Sequence, residues 1–219
     1  TEQNGPHMAL GKHNAIVRAT TERIARELGN VLVAPVMAYV PEGGIDPPEG
    51  HMRFAGTLSL PEHVFEAVLE ATARSLRAHG FTLICLIGDS GGNQDAQRRV
   101  ADRLTAEWRD AGVTVLHVAD YYAANGQVER LLAEGETEDT IGRHAGIRDT
   151  SELLAVRPDA VRADRLGPDM PPRVADDGVE GAPWLASAGR GERLLALKVD
   201  AALKQIRADQ DADNDGNRP

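Results

Sequence analysis

Residues 81–93 read FTLICLIGDSGGN. Phe81 to Ile87 is a short, nearly all-apolar run without polar alternation, the pattern of a strand covered on both faces. The Gly-rich turn Gly88 to Asn93 follows at once. A helical pattern comes next, with Val100, Leu104 and Trp108 at i, i+4 and i+8. Strand, tight turn and helix in that order predict an α/β unit. In such units the ligand crevice lies beyond the carboxyl ends of the strands.

The same alternation extends outward in both directions. On the C-terminal side, Val113 to Val118 reads as the next strand, Gln127 to Ala133 and Thr150 to Ala155 as short helices, Asp169 to Gly191 as mostly loop, and about Glu192 to Ala208 as a last helix. On the N-terminal side, Pro61 opens a helix with Val64, Phe65, Val68, Leu69 and Leu76 on one face. Glu42 to Ser59 is a long Gly- and Pro-rich loop, of the kind that is usually functional or disordered. Val31 to Val40 reads as a strand ended by Pro41, and His13 to Leu28 as a helix stopped at Gly29. Strands alternating with helices imply a three-layer α/β/α fold with a mainly parallel sheet. A single domain over 1–208 and a polar acidic tail over 209–219 are expected, the tail disordered.

Composition excludes several function classes. With 219 residues and a net charge of −10, the chain lacks the basic balance that nucleic-acid binding requires. No apolar run is long enough for a membrane span. Cys85 is the single cysteine, so no internal disulfide forms, and a reducing, cytoplasmic compartment is expected.

Five segments, in order, resemble the creatininase family of amidohydrolases. TEQNGPHMALGKHN at Thr1 to Asn14 is similar to the family's S/T-E-Q-H-G-P-H-L-P-L-G-T-D loop, and FAGTLSL at Phe54 to Leu60 to its F-P-G-T-I-S-L segment, with His51 at the place of a family histidine. GDSGGN is similar to its N-G-H-G-G-N turn, HAGIRDTS at His144 to Ser151 to H-A-G-E-x-E-T-S, and Gly181 to Leu195 to its closing segment. The resemblance implies hydrolysis of an amide or other C–N bond of a small molecule, two metal ions and a homo-oligomer. Carried over by position, Glu2 stands at the first metal ligand. Asn4 replaces a histidine, His13 the bridging aspartate and Ser90 the turn's histidine. Gly92 or Ile147 stands where some members place a carboxylate. Two divalent ions need several carboxylates and a bridging anion, which this set does not supply. No metal cofactor is therefore expected. The alternative is one divalent ion such as Zn or Mn, held by His7 or His13 with Glu2.

Thr1 carries the sharpest expectation. The family's strand before this loop is not in the sequence, which suggests a separately held N-terminal chain cut from the same precursor. Self-cleavage would make Thr1 an N-terminal nucleophile whose own α-amine is the base. Asn4 and backbone N–H groups near Gly91, Gly92 and Asn93 would hold the oxyanion, and Lys12 or His13 would tune the amine. Ser90 is a lesser nucleophile candidate beside His13 or His51. Asp89 and His144 complete the expected pocket, with Asp89 equally readable as a helix cap. GDSGGN also matches the surroundings of a serine-protease nucleophile, but in a different fold context. Two other readings stay open: a metal-dependent amidohydrolase with substituted ligands, and a non-catalytic binding or assembly subunit.

Overall fold

A computed structural model describes residues 1–167 and 174–214. Its centre is the predicted pair of strands. Strand β1 (Leu83–Leu86) lies parallel to β2 (Thr114–His117), with Leu83 opposite Thr114 and Leu86 opposite His117. The two faces of β1 serve two different cores, which is why its sequence carries no polar alternation. Ile84, with Val115 of β2, packs among Phe65, Leu69, Val100, Leu104 and Trp108. Leu83, Cys85 and Ile87 face Ile24, Val118, Tyr121, Val199, Leu203 and Ile206.

Those cores define the layers. Helices α2 (Glu62–Ala78) and α3 (Gln94–Trp108) cover one face of the sheet; α1 (Lys12–Leu28), α4 (Asp120–Ala123) and the long α9 (Ala188–Asn214) cover the other. The expected α/β/α arrangement with a parallel sheet is present. Between β2 and α9 the chain forms α5 (Gln127–Ala133), α6 (Glu138–Ile141), α7 (Ile147–Val156) and the single turn α8 (Val174–Asp177). No helix among the described residues is long and apolar enough to cross a membrane.

The outer rim of β2 is closed by side chains. The Thr105 hydroxyl accepts from Val115 N–H at 2.9 Å and donates to Val115 C=O at 2.8 Å. Gln205 of α9 donates its amide to His117 C=O at 2.9 Å.

Three sequence expectations need correction. Val31 to Val40 is not a strand: only Val40 makes an isolated bridge, to Ser59. Pro35 has no N–H for a ladder, and Leu32 is 76% exposed. Helix α2 buries Phe65, Leu69 and Ala73 along a narrower stripe than expected, and Val68 stays exposed. The tail expected from Asp209 is helical as far as Asn214, since α9 simply continues; residues 215–219, and 168–173 of the expected 169–191 loop, lie outside the described residues.

The loop 1–11 is what brings the site together, and both its sides are pinned. On one side Leu58 N–H donates to Thr1 C=O at 2.8 Å and Gln3 N–H to the Thr57 hydroxyl at 3.1 Å. On the other, Ala9 N–H donates to Ala160 C=O and Arg162 N–H to His7 C=O, both at 2.8 Å. Met8 anchors the middle in a core with Ala145, Leu153, Ala160 and Val179. Buried His7 is part of this scaffold, its Nε2 2.9 Å from the Thr150 hydroxyl.

Candidate active site

A cleft of about 590 Å³ opens beyond the carboxyl end of β1, and Glu2, Asn4, His13, His51, Asp89, Ser90, Gly91, Gly92 and His144 all line it. Nine of the residues singled out from sequence thus meet in one place. Each comes from a segment that must turn there. Gly11 at φ 79° bends the loop into α1 and sets His13 in its first turn. Asp89 and Ser90 follow β1. His51 sits in a 3-10 turn (Gly50–Arg53) within the long loop, and His144 precedes α7.

His13 is the hub. Its Nε2 lies 2.7 Å from Glu2 Oε2 and its Nδ1 2.7 Å from Asp89 Oδ2. Burial and the charge of Lys12 oppose protonation, but the hydrogen bonds to Asp89 and Glu2 outweigh them and raise its pKa. The ring is therefore an imidazolium between two carboxylates. Burial would raise the Glu2 carboxyl, yet the hydrogen bond and charge of His13 hold it down at about 2. The relay continues inward. Asp89 Oδ1 accepts from Lys198 Nζ and, at 3.1 Å, from the Tyr121 hydroxyl; Lys198 also reaches Glu152 at 3.1 Å. Beside it, Lys12 donates to Asp149 at 2.7 Å.

At the mouth, Glu2 meets two imidazoles. His51 Nδ1 is 3.1 Å from Glu2 Oε1, and His144 Nδ1 is 3.9 Å from Glu2 Oε2. One ligand atom from each residue falls within 4.8 Å of the others, a group able to hold a metal ion. Three features suit that use. His51 Nδ1 is buried without a hydrogen-bond partner among the described residues. His144 Nε2 lies 2.9 Å from Gln3 C=O, so it carries the proton and leaves Nδ1 as an acceptor, with only a long 3.5 Å contact to the Asn4 amide. Burial lowers the His51 pKa, favouring the neutral ring that metals require. The donors fit one ion and not the family pair, because the bridging position holds the imidazolium of His13. The metal-free expectation is thereby corrected, as is the proposed ligation by His7 or His13: both rings are occupied by protein partners.

Three expected site residues fall outside the cleft lining. Thr1 is not poised as a nucleophile. Its hydroxyl donates to Ala38 C=O at 2.7 Å, and its amine to Ala38 C=O at 2.8 Å and Leu58 C=O at 3.2 Å. Lys12 is spent on Asp149 rather than on an amine at residue 1. Asn93 holds the turn, accepting from Gln97 at 2.8 Å and Gln94 at 3.1 Å. Asn4 lines the cleft, but its amide donates to Glu2 Oε2 at 2.9 Å instead of standing free for an oxyanion.

Sequence reasoning missed Glu42, Asp149, Glu152 and Lys198 as parts of this site. Glu42 accepts from the Ser90 hydroxyl at 3.2 Å, and burial together with the charge of Glu2 pushes its carboxyl up to about 7. The signal was its place, directly after an apolar run. Lys198 was signalled by a lone cation in the apolar stretch LLALKVDAAL.

The fold and the site define an α/β protein with a polar cleft, built for hydrolytic chemistry, at the strand ends. A family model described as creatinine amidohydrolase matches residues 1–206. A mycofactocin precursor peptide peptidase of Mycobacterium ulcerans (strain Agy99) is 30% identical over 229 residues, covering 94% of this chain and 81% of that protein. A creatinine amidohydrolase of Pseudomonas putida is 27% identical over 224 residues, covering 94% and 85%. Among solved structures, a manganese form of creatininase superposes with a TM-score of 0.74 at 27% identity, covering 95% of this chain and 87% of that one. A mutant creatininase of Zn–Zn type gives 0.72 at 26%, covering 95% and 86%. The chain belongs to the creatininase family and is an amidohydrolase, acting on a C–N bond.

Proposed function

We propose that this chain hydrolyses an amide of a small molecule or short peptide in the cleft, with a single divalent ion such as Zn or Mn held by Glu2, His51 and His144. The observation that carries this reading is the convergence of those three donors, with His51 Nδ1 buried, in no hydrogen bond and 3.1 Å from Glu2 Oε1. Such an ion, when bound, polarises a carbonyl and makes water nucleophilic near neutral pH.

The protein's own groups do the rest. His13 and Asn4 fix one oxygen of Glu2, leaving the other toward His51. Glu42, unlike Glu2, Asp89 and Asp149, touches no cation among the described residues. We assign it to take a proton from water as the new C–O bond forms, and to return it to the leaving nitrogen as the C–N bond breaks. Gly92 lets the turn approach the chain beside Glu42: a Cβ there would come within 2.7 Å of Pro41 C=O. Backbone N–H groups at Gly91 and Gly92, which line the cleft, would stabilise the developing oxyanion.

Elemental analysis of the purified chain, combined with assays on creatinine, N-acyl amino acids and dipeptides, tests this. One equivalent of metal per chain is expected, with activity lost on chelation and metal lost in Glu2→Gln and His51→Ala. Two equivalents, or full activity without metal, would overturn it.

A further inference from the structure

The carboxylates beneath the cleft are already committed. Glu2 and Asp89 share His13, Asp89 and Glu152 share Lys198, and Asp149 holds Lys12. Arg148, in the first turn of α7, lines the same cleft and is partly buried. Its guanidinium makes no hydrogen bond or ion pair with any other described residue. Several other arginines of this chain do find carboxylate partners: Arg74 pairs with Glu107, Arg99 with Glu62 and Glu66, and Arg190 with Glu134 and Glu136. An arginine left bare in a partly desolvated cleft keeps a planar fork of N–H donors that matches a carboxylate in two parallel bonds. Arg53 and Arg143 add positive charge to the same lining, and Tyr122 flanks Arg148. The charges of Asp149 and Glu152 keep the guanidinium protonated without contacting it.

We infer that Arg148 binds a carboxylate of the substrate, so that the amides this cleft takes carry a free acid group. The inference rests on the cleft being the amide-hydrolysing site. With no ion pair among the described residues, Arg148 is a partly buried cation of the cleft whose charge a ligand can still neutralise, with Arg53 and Arg143 beside it. A carboxylate at the end of a peptide and one on a small acylated amino acid offer the same fork-to-fork contact.

Equilibrium binding to the full chain decides it, measured by calorimetry with N-benzoylglycine, N-acetyl dipeptides and the carboxamide of each. The acids are expected to bind at least about tenfold more tightly than their carboxamides, the equivalent of about 1.4 kcal/mol. Arg148→Met should abolish that preference while carboxamide binding persists, and Arg148→Lys should keep part of it. A preference confined to the dipeptides identifies a peptide terminus as the source; one confined to N-benzoylglycine identifies a small acid. Acids that bind no better than carboxamides throughout the panel would overturn the inference, as would a preference that survives in Arg148→Met. Turnover is read separately. Hydrolysis of neutral amides without acid preference would leave the hydrolase reading standing and sink this one. Tight acid binding with no turnover of any amide would do the reverse.

Discussion

Lys12 is the residue whose role changed most between sequence and structure. Its ammonium is buried and holds Asp149, which in turn accepts Ala145 N–H at 2.7 Å and fixes the backbone beside His144. Removing one partner of such a pair leaves a bare charge in a dry place. Lys12→Met is expected to cost about 3–5 kcal/mol, and adding Asp149→Asn should recover part of it, measured by urea unfolding. His7 gives the pH prediction. Burial lowers its pKa to about 4, against about 6.5 in the unfolded chain. Between those values the unfolded chain binds the proton and the folded one does not. Stability is therefore fully present above about pH 6.5 and falls as the pH drops toward 4, by about 3 kcal/mol at most. His7→Gln should flatten melting temperature against pH across that window; an unchanged slope would remove His7 from the account. Residue types alone revealed little of this: they marked His7 as a metal ligand and Lys12 as tuning the amine of Thr1, whereas the partners that hold them, Thr150 and Asp149, meet them only when the fold closes.

At the scale of elements, helices were more legible than strands. Helix α3 followed from apolar periodicity, the two β-strands from short apolar runs, and the start of α2 from Pro61. Val31 to Val40 misled because its composition suits a strand, while Pro35 and the want of a ladder partner decide otherwise. The site was legible wherever it lies in the quoted segments. It was not where a helix distant in sequence, such as α9 with Lys198, delivers a side chain from across the core. The crossing of α7 and α9 depends on Gly191, where a Cβ would run into Ser151 C=O. Gly191→Ala is expected to destabilise the protein by about 1–3 kcal/mol. Because this crossing carries both Glu152 and Lys198, the substitution should also weaken metal retention, read by dialysis against a chelator. Retention equal to the parent's would show that the crossing does not govern the cleft.

For the whole molecule, Leu32, Tyr39, Ile45 and Val68 leave apolar surface in water, and a homo-oligomer is expected. Light scattering at micromolar concentration should give more than one chain's mass, and a monomer would contradict this. The hydroxyl of Thr105 has a consequence of another kind. By satisfying both main-chain groups of Val115, with Gln205 on His117 C=O, it removes those groups of the β2 rim from pairing with an incoming chain. A partly unfolded neighbour meeting that rim finds no template, so cross-β growth from this side is blocked before it starts. Thr105→Val keeps the shape and removes the block. It should cost about 1 kcal/mol of stability and noticeably shorten the lag before thioflavin-positive aggregates form on mild heating, a larger change than the lost hydrogen bonds alone would suggest.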